Sequence, residues 1–109
     1  MVFENSKAML KEVIEDYPEY REMIELMRSV KAFPEADKTA HIVLESLFYG
    51  NIDDAVEFSV IWLKEVNLPA PQCIVEDVAI FFPPERDAKG AALNATVRRL
   101  RTVPPYTPE

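Results

Sequence analysis

Apolar residues recur every three or four positions along the chain, in blocks separated by prolines. In the first block Met9, Leu10, Val13, Ile14 and Tyr17 mark one face. This predicts an amphipathic helix from Ser6 to Tyr17, capped by Asn5 or Ser6. Pro18 suits the first turn of a second helix, because the N–H it lacks would have no helical partner there. Tyr20, Met23, Ile24, Met27 and Val30 carry that helix's stripe to Lys31. After an interruption at Pro34, Asp37 is the expected cap of a third helix that turns Ala40, Val43, Leu44, Leu47 and Phe48 inward. Gly50 then stands where a left-handed residue closes a helix.

Asn51 is the expected cap of a fourth helix, with Asp53 and Asp54 at the positive end of its dipole. Its apolar residues Ile52, Ala55, Val56, Phe58, Val60, Ile61, Trp62, Leu63 and Val66 cover more than one stripe. That predicts the most buried helix, with Trp62 at the centre of the bundle and its indole N–H on an acceptor. Asn67 and Leu68-Pro69-Ala70-Pro71 end it. The β-branched run from Gln72 to Phe82 would also suit a strand, but a lone strand has no partner in this chain. Ile74, Val75, Val78, Ala79 and Phe82 predict a short helix instead. Phe81 and Phe82 are helical neighbours, so one faces inward and the other is left for an exposed apolar contact. Pro83-Pro84 open a last helix, about Glu85 to Thr102, whose alanines allow close approach to a neighbour. The expected fold is all-α: a compact bundle of five to six short helices joined by proline-containing loops. It forms a single domain over residues 1–103, with an irregular proline-rich tail over 104–109.

With 109 residues, 49% of them hydrophobic, the chain can bury one core and is too short for two. Its two isolated glycines exclude a phosphate-cradling loop and a dinucleotide fingerprint. A single cysteine, Cys73, and a single histidine, His41, exclude an intramolecular disulfide and a cysteine- or histidine-built zinc site. Core packing is the expected role of Cys73. The longest apolar runs fall far short of the ~20 residues of a membrane span. With no signal or lipidation pattern in view, the expected compartment is the cytoplasm, where an unpaired cysteine stays reduced.

Charge adds direction to this picture. The net charge is −7 and the sequence pI is about 4.7, so direct nucleic-acid binding is not expected. Residues 1–80 hold sixteen acids and seven bases, whereas residues 81–109 hold three acids and five bases. Arg98, Arg99 and Arg101 crowd the end of the last helix, where cations complement the dipole; a small anion-binding patch is the alternative. Glu12, Glu15, Asp16, Glu19, Glu22 and Glu25 fall within fourteen residues. At a Debye length of about 8 Å such a cluster acts on a close partner and steers a basic one.

The functional expectation is therefore a small acidic non-enzymatic protein-binding module, an inhibitor or regulator of a basic, nucleic-acid-acting protein. Glu15, Asp16, Glu19 and Glu22 are the expected steering residues, and Tyr20, with Tyr17 or Tyr49, supplies a buried anchor at the contact. One alternative is a homo-oligomeric structural or adaptor protein that uses the alanine-rich last helix. The other is a small metal-dependent hydrolase at Asp37, His41 and Glu45, spaced i, i+4, i+8 on one helix face. The ends of that trio lie about 12 Å apart along a helix axis, too far for one ion to use both. They read instead as a ladder of side-chain pairs. No metal, cofactor or catalytic residue is expected.

Overall fold

The structure, a computed structural model, describes residues 7–30 and 33–101. It is all-α. Helix α1 spans Lys7–Asp16, a 3-10 turn Pro18–Tyr20, α2 Arg21–Ser29, α3 Pro34–Phe48, α4 Ile52–Val66, α5 Gln72–Phe81 and α6 Ala88–Arg101. Among the described residues there is no strand, so the segment from Gln72 is helical as its apolar spacing predicts. The expected caps Asn5 and Ser6, the helix end at Thr102 and the proline-rich tail lie outside the described residues.

The most extensive helix pair is α3 against α4. The turn between them follows from Gly50, whose φ of +78° is a left-handed value that suits glycine. The Asn51 N–H donates to the Ser46 carbonyl (2.7 Å) and the Gly50 N–H to the Leu47 carbonyl (3.1 Å). That pair of bonds is a Schellman closure, and it satisfies carbonyls the helix end would otherwise leave open. At the far end of α4, Asn67 adopts φ +56° and the Leu68 N–H reaches back to the Leu63 carbonyl at 3.1 Å. Thr39 ties the pair from inside, its one hydroxyl proton shared between Glu65 Oε1 at 2.8 Å and the Glu35 carbonyl at 3.0 Å.

Around this pair one apolar core runs through every helix. It takes Leu10 and Val13 from α1, Met23, Ile24 and Met27 from α2, and Ile74 and Val78 from α5, with Val97 and Leu100 from α6. Trp62 is fully buried, as the wrapped apolar pattern of α4 predicts. Its indole N–H has no hydrogen-bond partner among the described residues, so the expected acceptor is absent. Burial of the ring outweighs the donor it strands: an aromatic core contact is typically worth about 3–5 kcal/mol and an unmet hydrogen bond about 1–3.

Three helix starts differ from the sequence expectation. Pro34 opens α3 rather than interrupting the chain, and Asp37 lies inside the helix, its N–H on the Phe33 carbonyl at 3.1 Å. A proline at the first helical position is pre-set in φ and loses no bond. Pro18 likewise begins a 3-10 turn, and α2 proper starts only at Arg21. Helix α6 begins at Ala88 rather than at about Glu85, and Asp87 is its cap. Its Oδ1 accepts the Gly90 N–H at 2.8 Å and its carbonyl accepts the Ala91 N–H at 3.1 Å. The Arg86 N–H closes a turn on the Pro83 carbonyl instead. Asn51 holds the cap position of α4 through its carbonyl, on the Ala55 N–H at 3.0 Å, but its side chain makes no capping bond.

Candidate functional site

The carboxylates of α1, the 3-10 turn and α2 form an exposed arm. Glu12, Glu15, Asp16, Glu19, Glu22 and Glu25 all face solvent, as charged residues opposite an apolar stripe do. Arg21 bonds Glu25 through Nε at 3.2 Å, within α2. Glu15, Asp16, Glu19 and Glu22 are thus all exposed on consecutive elements.

Tyr20 departs from its expected place. It is only 1% exposed, and its hydroxyl donates to Asp77 Oδ2 on α5 at 2.7 Å. The ring cannot be offered to a partner, so Tyr20 is a core residue and not a contact anchor. Its position on the stripe with Met23, Ile24 and Met27 is the reason: a side chain on the buried face of a helix goes into the core. Burial first, and then the bond to Asp77, hold its phenol protonated far above the usual range.

Glu22 and Asp77 both act on Cys73, at the start of α5, which is half-buried and packed against the core. Burial, then Glu22 and Asp77, push the thiol up to about 11. At neutral pH it is protonated and a poor nucleophile.

His41 and Glu45 pair across one turn of α3, with His41 Nε2 to Glu45 Oε1 at 2.6 Å. His41 Nδ1 is buried without a partner. Among the described residues no three His, Cys, Asp or Glu side chains stand close enough together to hold a metal ion. Asp37 is therefore not joined to that pair as a ligand set. Arg98 and Arg99 are exposed on the last turns of α6; the side chain of Arg101 lies outside the described residues.

The described residues also form open cavities, two of them each of about 410 Å³. One is bounded by Leu10, Lys11, Ile14, Glu15 and Arg28, between α1 and α2. The other opens between the α3–α4 turn and the end of α5, bounded by Gly50, Ile52, Asp53, Phe81, Phe82 and Arg86. Beside it Phe82 is buried and Phe81 is half-buried, the division expected of adjacent aromatics on one helix. Tyr49, before Gly50, is 69% exposed and meets Phe48 edge to face at 5.1 Å, while Ile80, before Phe81, is 68% exposed. Sequence spacing missed Ile80, although it stands two residues from the buried Val78, about 200° round the helix.

No helix among the described residues is long and apolar enough to cross a membrane. Set against known protein families, curated proteins and solved structures, the chain matches none, and its functional reading rests on its own surface.

Proposed function

We propose that the protein is a non-enzymatic binding module that captures a basic protein partner through its acidic arm, and that the partner it restrains is a nucleic-acid-acting protein. The supporting observation is that Glu15, Asp16, Glu19 and Glu22, carried on consecutive elements, are all exposed. Like-signed charge on one surface accelerates encounter with an opposite surface and is weakened by salt. A partner that binds nucleic acid presents the basic surface this arm complements. Tyr20 drops out of the contact set, and Tyr49 is the exposed aromatic residue left to serve as an anchor.

The test begins with affinity capture from the native cell lysate at low salt and elution at high salt. Association of the purified partner is then timed with the native protein and with a variant carrying Glu15→Lys, Asp16→Lys, Glu19→Lys and Glu22→Lys. The expected outcome is a slower on-rate, by about tenfold or more at low salt, and a flatter salt dependence. An unchanged on-rate refutes the reading.

A further inference from the structure

We infer that the cavity between the α3–α4 turn and the end of α5 seats an apolar side chain of the basic partner, flanked on the partner by lysine or arginine. This inference rests on the reading of the protein as a module for a basic partner and adds the place where that partner grips. The cavity is at the small end of the ~300–1,000 Å³ range of ligand pockets. It offers Ile52, Phe81 and Phe82 as walls. The two most exposed large apolar residues among those described, Tyr49 and Ile80, adjoin its lining in the chain through Gly50 and Phe81. Ile52 and Phe81 are half-exposed in its wall, and exposed apolar surface at a concave site marks a contact surface more often than scattered exposure does.

Charge selects the occupant. Asp53 lines the cavity and Asp54 beside it is exposed. The Arg86 cation is already engaged: Nη2 donates to the Phe81 carbonyl at 3.1 Å and Nε lies 3.7 Å from Asp87 Oδ2. With Arg86 held by the Phe81 carbonyl and Asp87, the Asp53 carboxylate is the lining charge that favours a cationic segment. A second copy of this chain, at net −7, is disfavoured by like charge. The crevice at Leu10 and Ile14 has Lys11 and Arg28 against Glu15, the wrong balance for a basic partner. The acidic arm also reaches the chosen end of the bundle. The Tyr17 hydroxyl lies 3.9 Å from where a Gly50 Cβ would stand; Asp16 precedes Tyr17 in the chain and Glu19 follows two residues after it.

The test uses the full chain, labelled with nitrogen-15, titrated at low salt with a synthetic lysine–leucine amphipathic peptide. The expected result is movement of the Gly50, Ile52, Asp53 and Phe81 amide signals. Affinity should fall about tenfold when the leucines become serine, and about tenfold in Tyr49→Ser and in Ile80→Ser. Both substitutions are at exposed positions and should leave the melting temperature near that of the native chain. Absence of peptide binding overturns the inference, and so does equal binding of the serine peptide. Movement of the same amides with protein concentration alone, marking a second copy, also overturns it. Shifts confined to α1 and α2, with Tyr49→Ser and Ile80→Ser binding normally, remove the cavity and leave the acidic arm standing. The converse, loss in those two variants with no effect of reversing Glu15, Asp16, Glu19 and Glu22, supports the cavity and removes the arm.

Discussion

Tyr20→Phe deletes one oxygen from the core and should leave a signature that changes with pH. The hydroxyl donates to Asp77 Oδ2 at 2.7 Å, a charge-assisted bond joining the 3-10 turn to α5 across 57 residues of chain. Hydrogen bonds to charged groups contribute about 1.5–3 kcal/mol. Asp77 is only partly buried, so water can replace the lost donor, and the expected cost at neutral pH is about 1.5–2 kcal/mol.

Above neutrality the gap should close. Burial, then the bond to Asp77, raise the phenol's pKa in the folded chain above its value of about 10 in the unfolded one. The stability this proton provides is complete below pH ~10 and is lost as pH rises toward the folded value, by up to about 1.4 kcal/mol per unit. Phenylalanine has nothing to titrate. The two stability curves should therefore meet at roughly pH 11–11.5. Cys73, pushed up to about 11 by burial and then by Glu22 and Asp77, also lowers stability in alkali, but it does so in both proteins and cancels from the difference to first order. Urea unfolding followed by circular dichroism, at steps from neutral pH to about 11.5, measures both effects. A gap under about 0.5 kcal/mol at neutral pH, or one that stays constant to about pH 11, refutes the reasoning.

Trp62→Ala should cost about 3–5 kcal/mol in urea unfolding, and the native tryptophan should emit at short wavelength and resist aqueous quenchers. Asp87→Ala removes the side-chain cap on the Gly90 N–H and should cost about 0.5–2 kcal/mol; Asp87→Asn, which keeps an acceptor, should recover most of it. Gly90→Ala puts a Cβ against the Pro83 carbonyl oxygen, which is backbone and cannot swing away, so the melting temperature should fall even though alanine is the better helix former.

The elements and their buried faces were legible because each depends on neighbours three or four residues away. The stripe Met23, Ile24 and Met27, the wrapped apolar surface around Trp62 and the glycine closing α3 are local facts, and each stands as the spacing predicts. Helix starts were less legible because several residues compete for one cap. Pro34, Asp37, Asn51, Pro83 and Asp87 all suit a first turn by composition. The winner was set by which residue left the following N–H groups satisfied once α3 and α6 had packed.

Tyr20 shows a limit of a different kind, since the sequence already held the contradiction. Its place on the α2 stripe assigned it to the core, while its residue type invited the role of contact aromatic, and the two cannot both hold for one ring. Periodicity should prevail in such a case. Burying a ring gains apolar contact, whereas its hydroxyl needs only one partner, which Asp77 supplies from a helix that no local rule links to position 20. The same argument runs in reverse for Tyr49 and Ile80. Tyr49 follows the last residue of α3, and Ile80 sits on the side of α5 away from Val78, so neither apolar stripe claims them. Apolar residues that no stripe claims are the ones left for a surface. Their chain neighbours Gly50 and Phe81 do meet at one cavity, brought together by the packing of α5 beside α4, a contact between segments that share no local pattern.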